Sequence, residues 1–399
     1  MDQIKKDKGK LVFGGMLIML TQFSISSNCF SLFIIPICSN LDFMRGQFSV
    51  AQSMLSLGGV CASVLSGSVF NRFGILRVMR VSVILTALIY YLQSLVSTVS
   101  AFCIINYFIG FFNCFGTFVP ISLLIGDWFQ ENKNTANGIA MMGSGIGTSI
   151  FTSLGNELIL DLGWRQAMRI LAGIMGCFSL LAVFTLLKEA NPQQGRAVVT
   201  KSAASDTPQP SSFFAGKNIV IAFICAAISV ASGVFINTAQ PHLQDIGYSQ
   251  TYAAHLFSAG MFVMALGKIL HGMIIDRYGV RVSNTAIVLT ASLGLVGLLH
   301  YSGSFSAVFV CIGMLFITSL NVVGAPALAE TLGGPENKKF YLGKLSAFIN
   351  GGYMLAPFIY GAVYDRTGSY KPMYYAAIGL LLLSLFGIWG LLPGKTGRE

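Results

Sequence analysis

Twelve apolar stretches separated by short polar turns constrain this chain more than any other feature of its sequence. An α-helix needs about 20 apolar residues to cross a hydrocarbon core of about 30 Å. Of the 399 residues, 54% are hydrophobic and only 10% are charged, against about 25% charged in a soluble domain. The sequence therefore predicts an all-α integral membrane protein with twelve transmembrane helices. These helices are expected at about 11–34, 48–70, 78–98, 101–126, 136–160, 167–187, 217–240, 251–275, 282–301, 305–329, 341–363 and 373–392.

A single long polar stretch, residues 188–216, interrupts the series of apolar windows. It is rich in Ser, Ala, Pro and Gln, a composition typical of a mobile linker. It predicts a division into two six-helix bundles, residues 1–187 and 217–399, related by pseudo-symmetry. A motif repeats between them after 205 residues: Gly67-x-x-x-Asn71-Arg72-x-Gly74 returns as Gly272-x-x-x-Asp276-Arg277-x-Gly279, and the same shift carries Gly138 onto Gly343 and Gly163 onto Gly368.

The distribution of basic residues predicts the orientation of the chain in the bilayer. With the N-terminus inside, 19 Lys and Arg residues fall in inner segments and five in outer loops, as the positive-inside rule requires. We therefore expect both termini in the cytoplasm and the protein in a plasma membrane. The net charge of +10 does not indicate nucleic-acid binding, because the basic residues lie between apolar spans and form no continuous surface.

Lys268 is the one formal charge inside the predicted span 251–275. A charge there costs about 2.5–3.5 kcal/mol even on the most permissive scale, so it requires an anionic partner or a polar cavity. The 15 acids of the chain all fall in turns or near helix ends, so we expect the substrate to supply the anion. The alternative is an inert lysine, either bonded to a backbone carbonyl or held neutral by burial. His271, one turn away, is either a proton-sensitive neighbour or a packing residue.

The repeated turn motif resembles the signature cytoplasmic turn of the major facilitator superfamily. Three further stretches are similar to the monocarboxylate transporter and bacterial oxalate/formate antiporter branch: Asp127-Trp128-Phe129 with the glycine-rich run that follows it, Tyr364–Tyr370, and Lys268–Arg277. The resemblance covers nearly the whole chain. It implies a transporter whose halves rock around a central site, and in which the eighth helix carries a cation that recognises the substrate carboxylate.

The chain also departs from that branch in its site residues. The family arginine is Lys268 here, and the acid of the proton-coupled members is replaced by Met264. The second cation of the antiporters is absent from the matching stretch Phe348-Ile349-Asn350. One cation in place of two favours a monoanion over a small dianion. The predicted substrate-binding residues are Lys268, His271, Asn28, Ser27, Phe118, Ser144 and Asn321, and the predicted gating residues are Gly67, Asn71, Arg72, Gly74, Gly272, Asp276, Arg277, Gly279 and Arg281.

These features together predict a secondary transporter that moves a small organic monoanion, such as a monocarboxylate, by anion exchange. Proton-coupled symport is the alternative within transport, and a non-transporting ligand sensor is the alternative from a different class. Enzyme motifs such as HExxH and GxSxG do not occur, and neither the histidines nor the cysteines have metal-binding spacing. We expect no cofactor and no metal. The expected partners are the small organic anion and the lipid bilayer, and the protein is expected to be a monomer.

Overall fold

The computed structural model describes residues 2–43, 45–129, 131–189, 213 and 216–392, and all its regular elements are helical. Before the linker lie α1 (Asp2–Ile18), α2 (Phe30–Leu41), α3 (Arg45–Phe73), α4 (Ile75–Gln93), α5 (Val99–Gly116), α6 (Phe118–Trp128), α7 (Lys133–Leu162) and α8 (Trp164–Leu181). After it lie α9 (Lys217–Asp245), α10 (Gln250–Leu299), α11 (Ser304–Met314), α12 (Ala325–Thr367) and α13 (Lys371–Leu391). Three π-helical segments, Met19–Asn28, Ala182–Leu186 and Leu320–Gly324, extend these helices.

Two of these helices run through a turn: α10 contains two of the predicted spans, and α12 contains the end of the span 305–329 and the whole of 341–363. Gly279 in α10 and Gly334 in α12 have non-helical backbone angles, with φ of 84° and 70°, a region open mainly to glycine. The chain turns at both positions. Eight helices in the described part of the chain are long and apolar enough to cross a membrane. The all-α membrane architecture predicted from the apolar windows is confirmed.

The first predicted span, 11–34, is not one regular helix. Its middle is the π-helical segment Met19–Asn28, where three serines and an asparagine follow one another closely in sequence. The hydroxyl of Ser24 donates to the carbonyl of Met19 at 3.1 Å, and that of Ser26 donates to the carbonyl of Gln22 at 2.5 Å. Such hydroxyls compete with backbone N–H groups for the carbonyls of the preceding turn. The widened helix therefore lies where the polar residues cluster.

The two halves pack together most closely near one end of the bundle, which we call the basic end, where the chain turns at Gly74, Gly279 and Gly334. There α7 meets α10 at two glycines, since a Cβ on Gly138 would overlap the backbone of Lys268 and one on Gly272 that of Asn134. Gly145, two turns farther along α7, still faces Ala265 of α10, whereas beyond it Gly155 faces Leu32 and Gly260 faces Met314, each in its own half. The contacts between α7 and α10 therefore close the basic end.

The predicted linker, 188–216, lies mostly outside the described residues. Its first two residues continue from the first half, and Phe213 near its other end is 1% exposed. The ring of Phe213 lies 5.4 Å from that of Tyr341 in α12. The division of the chain at 187 and 217 stays a prediction.

Candidate functional site

Lys268 lies in α10 on the surface that faces α7 of the other half. Its side chain is 2% exposed, and Nζ donates a hydrogen bond to Oγ of Ser144. No acidic group among the described residues lies within 4 Å of this ammonium. A hydroxyl is a weak counterpart for a buried cation. The ammonium is therefore bonded but not neutralised, and it joins the two halves.

A chain of hydrogen bonds runs from Lys268 across α7 to the first π-helical segment. The carbonyl of Ser144 accepts from Thr148 Oγ1 at 2.6 Å and from Ser24 Oγ at 2.8 Å. Asn28 Nδ2 then donates to Thr148 Oγ1 at 2.7 Å. Ser144 and Thr148 are four residues apart, so they share one face of α7. The structure thus brings together three of the predicted substrate-binding residues, Lys268, Ser144 and Asn28, through Thr148.

Ser27 and Phe118 lie elsewhere in the first half. The Ser27 hydroxyl accepts from Nδ2 of Asn113 in α5 at 3.0 Å. Phe118 begins α6, is 5% exposed and packs edge-to-face on Phe23 with ring centres 6.4 Å apart. Neither residue has a hydrogen bond or ring contact with Lys268 in the described structure. Their assignment to the substrate site stays a prediction.

His271 follows Lys268 by one turn but faces its own half. Its Nε2 is hydrogen-bonded to the Ser283 hydroxyl, and its ring lies 5.7 Å from that of Phe316. The side chain is fully buried, and Nδ1 has no partner among the described residues. This position separates His271 from the hydrogen-bond chain of Lys268, so its predicted role in substrate binding stays untested.

Asn321 lies in the third π-helical segment, Leu320–Gly324. It is 9% exposed, and its Oδ1 has no partner within the described chain. The next residue, Val322, accepts a hydrogen bond from Asn137 Nδ2 of α7 at 2.8 Å. The side chain of Asn137 in turn accepts from Ser122 Oγ at 3.0 Å. This segment therefore meets the other half through its backbone, while the Asn321 amide oxygen is left unpaired.

Asp276, one of the predicted gating residues, binds the beginning of α7. Its carboxylate accepts from the backbone N–H of Asn134 at 3.3 Å and of Thr135 at 2.8 Å. It also accepts from Asn134 Nδ2 at 2.7 Å and from Thr135 Oγ1 at 2.6 Å. The residue before α7, Asn132, makes no side-chain cap of its own. We call this contact the Asp276 latch, because an acid of one half caps a helix of the other.

The other residues of the two motifs have separate roles in the structure. Gly74 and Gly279 have φ values of 83° and 84°, so both turns require glycine. Arg281 donates to the carbonyls of Leu392 at 2.9 Å and Trp389 at 2.7 Å. It therefore holds the last turn of α13, where a cation is favourable.

Arg72, Arg277, Asn71 and Gly67 complete the gating set. Arg72 and Arg277 are exposed, each over the ring of the residue that follows it, at 5.3 Å in both cases. Asn71 is also exposed, and a Cβ on Gly67 would lie 3.5 Å from the carbonyl oxygen of Lys339. An added Cβ would make only an ordinary van der Waals contact there, so the approach of α3 to α12 does not depend on glycine at this position.

One charged cluster at the basic end was missed by the sequence analysis. Glu330 forms an ion pair with Lys133 of the other half, and a second with Lys338 at 3.2 Å. Burial alone would raise the pKa of Glu330, but the two ammonium groups outweigh it and hold that pKa below its ordinary value. From the sequence, all three residues are recognised only as charged residues of the predicted cytoplasmic segments. Nothing in their spacing indicates that Lys133 and Glu330, 197 residues apart, would meet.

Comparison with known proteins assigns the fold and the family. The chain matches the family model of the Major Facilitator Superfamily over residues 11–323 and again over 222–398. Its backbone is similar to that of the proton:xylose symporter XylE, with a TM-score of 0.78 and 13% identity over 99% of this chain and 97% of that one. It is also similar to the nucleoside transporter NupG, with a TM-score of 0.66 and 15% identity over 96% and 100%.

Sequence relatives are distant. Monocarboxylate transporter 12 from Homo sapiens is 25% identical over 67% of this chain, which covers 57% of that protein. Monocarboxylate transporter 13 from Rattus norvegicus is 24% identical over 69% of this chain and 64% of that one. The MFS-type transporter YhjX from Escherichia coli is 23% identical over 80% of each. The chain thus spans about three fifths of the length of the monocarboxylate transporters that it matches, and it belongs to the Major Facilitator Superfamily of secondary transporters, not to an enzyme family.

Proposed function

We propose that this transporter exchanges small organic monoanions, such as monocarboxylates, across a plasma membrane by alternating access. The observation that carries the proposal is Lys268, a buried ammonium between the halves whose described partner is one hydroxyl. A substrate carboxylate would neutralise this charge where the chain supplies no acid within 4 Å among the described residues. The similarity to monocarboxylate transporters supports the same substrate class.

The charge at the site favours a monoanion. The side chains joined to Lys268 by hydrogen bonds, Ser144, Thr148 and Asn28, are all neutral. A dianion bound there would leave one negative charge uncompensated, at a cost of several kcal/mol in a buried site. A lysine is also a point charge, whereas an arginine presents two parallel donors to a carboxylate. We therefore expect selection by charge more than by carboxylate geometry.

The same residue favours exchange over one-way transport. Rocking of the halves must break the hydrogen bond between Lys268 and Ser144, because the two residues lie on opposite sides of the interface. Without substrate, this movement would leave a bare ammonium in a poorly hydrated passage. A bound carboxylate replaces the lost partner. The loaded carrier therefore crosses between its two states more readily than the empty one.

The Asp276 latch would hold one of these two states. With the N-terminus and the basic end in the cytoplasm, as the basic residues predict, the structure has its inner side closed. An acid that caps α7 in this state releases that helix when the halves separate at the basic end. Substrate then favours opening of the inner side only by as much as it binds the open state more tightly than the closed one, and this difference acts against the free energy of the latch.

Counterflow in proteoliposomes tests the proposal. Vesicles containing the purified chain are loaded with unlabelled lactate, and uptake of labelled lactate is measured with no pH gradient. We expect uptake that requires internal anion and that Lys268→Ala reduces at least about a hundredfold, whereas Lys268→Arg retains part of it. Lys217→Ala, at an exposed lysine outside the site, is the matched control and should behave like the wild type.

The alternatives give different results in the same vesicles. Uptake that needs a pH gradient and ignores the internal anion would indicate proton symport. Ligand-induced thermal stabilisation without flux would indicate a sensor. Equal transport by wild type and Lys268→Ala would contradict the assignment of Lys268 to the substrate. Stronger thermal stabilisation of the protein by oxalate than by lactate or acetate would contradict selection for monoanions.

A further inference from the structure

A second group of cations lies at the basic end, away from Lys268. Arg72 at the end of α3 and Arg77 and Arg80 in α4 line a cavity of about 480 Å³, together with Glu189. We call this cavity the arginine pocket. It lies beside the turn at Gly74, in the first half of the chain. Arg72 is among the predicted gating residues, but Arg77, Arg80 and Glu189 have no part in the proposed transport of a carboxylate.

The arginines of the pocket are not neutralised by the described chain. None of the three has an acid within 4 Å among the described residues. The carboxylate of Glu189 forms no ion pair with these arginines. It accepts a hydrogen bond from the backbone N–H of Leu76 at 3.1 Å and so caps the start of α4. The pocket therefore combines three guanidinium groups with one carboxylate. Guanidinium groups bind phosphate oxygens in pairs of parallel hydrogen bonds.

The inner part of the pocket is partly dehydrated. Nε of Arg80 is shielded from solvent and has no hydrogen-bond partner among the described residues. Its guanidinium lies 5.1 Å from the ring centre of Phe184. A buried donor without a partner carries a cost of about 1–3 kcal/mol. A ligand oxygen that accepted from this group would recover that cost.

The surroundings of the pocket are apolar and exposed. Phe73 is 53% exposed, Val81 56% and Phe184 54%, although Phe73 and Val81 each follow one of the arginines in sequence and the Phe184 ring lies against the guanidinium of Arg80. Such side chains belong against acyl chains in a membrane protein. The pocket therefore lies where lipid-facing surface meets a cluster of cations. A free anion from solution would use the cations but leave this apolar surface without a partner.

We propose that the arginine pocket binds the phosphate of an anionic phospholipid whose acyl chains lie against Val81 and Phe184. With the basic end in the cytoplasm, this lipid belongs to the inner leaflet, which is also where juxtamembrane cations meet anionic lipid. Glu189 competes with it, since its carboxylate occupies the N-terminal end of α4 that a phosphate oxygen would otherwise approach. The bound lipid would hold α4 against the end of the first half.

Native mass spectrometry of the full chain in detergent tests this proposal. The protein is titrated with phosphatidylglycerol and, separately, with phosphatidylcholine. We expect one tightly held phosphatidylglycerol, weakened about thirtyfold in Arg77→Gln/Arg80→Gln, since each cation contributes about fivefold. Lys6→Gln/Lys10→Gln removes two exposed charges at the same end but outside the pocket, and it should change this affinity less than about twofold.

A variant that is expected to raise the affinity for the lipid keeps the test informative if the arginine variant does not fold. Glu189→Gln removes the competing carboxylate and should raise the affinity for phosphatidylglycerol severalfold. Equal affinity in the wild type, the arginine variant and Glu189→Gln would overturn the proposal. Displacement of the lipid by millimolar inorganic phosphate would assign the pocket to a soluble anion and overturn its lipid character.

Discussion

The two turns that repeat after 205 residues share a sequence pattern but differ in what they bind. Both contain a left-handed glycine, at Gly74 and at Gly279. Asp276 in the second turn accepts four hydrogen bonds from Asn134 and Thr135, at the beginning of α7. Asn71, its counterpart in the first turn, is exposed and has no hydrogen bond to the described chain. One turn is a charged latch and the other is a packed contact.

The difference lies in the helices that the turns face as much as in the exchange of Asp for Asn. Asn134 and Thr135 are at the beginning of α7, so their N–H groups have no partner within the helix. The same shift of 205 residues leads to Lys339 and Phe340, which lie several residues beyond the turn at Gly334. Their N–H groups already have carbonyl partners one turn earlier. The first turn thus faces a helix side, where a carboxylate would find no free donors.

Among substitutions in the two turns, Asp276→Asn is expected to change the population open at the basic end the most. The amide cannot accept at both of its terminal atoms, and it carries no charge, so the latch loses about 2 kcal/mol. The population open at the basic end should rise about thirtyfold. Spin-label distances across the basic end, in a cysteine-free background, measure this change. Asn71→Ala is the matched control, and an equal opening in both variants would refute the asymmetry.

A smaller effect is expected from Glu330→Gln, which breaks the ion pairs with Lys133 and Lys338. These side chains are 14–29% exposed, so we expect about 1 kcal/mol and a fivefold rise in the open population. The pKa of Glu330 lies below its ordinary value of 4.5. Its contribution is therefore complete above about pH 4.5 and is lost as the pH falls through the lowered pKa.

The pH dependence separates this ion pair from the Asp276 latch. The free-energy difference between wild type and Glu330→Gln should be constant from pH 7 to about 5 and should vanish in more acid solution. The same spin-label distances, recorded as a pH series, give both curves. A difference that disappears already near pH 6 would show that the Glu330 carboxylate is not held ionised by its lysines.

The smallest effect is expected from Asn71→Asp, which makes the first motif identical to the second at this position. Because α12 offers no free N–H groups there, the new carboxylate gains at most a surface contact with Lys339, of about 0.5 kcal/mol. The open population should change less than about threefold. A stabilisation as large as the loss in Asp276→Asn would show that the acid alone, and not the helix start, makes the latch.

The proposed substrate site shows how far sequence reasoning extends. Burial of Lys268 follows from its place within an apolar stretch, and the scarcity of acids in the spans follows from the composition. The partner of Lys268 does not follow, because Ser144 lies 124 residues away on the other half. His271 shares the helix face of Lys268 in sequence, yet it bonds to Ser283. The rotation and crossing of α10 decide which neighbour each residue meets.

The sequence by itself determined the helical membrane fold, the repeat and the two glycine turns, since hydropathy, spacing and the sterics of a positive φ act within a few residues. Only the tertiary structure decided that α7 begins against Asp276, that Glu330 joins Lys133, and that Phe184 and Glu189 meet the arginines of the arginine pocket. These contacts depend on how helices far apart in the chain cross and rotate. In a bilayer many such packings leave the same apolar surface facing lipid, so the hydropathy pattern does not select among them.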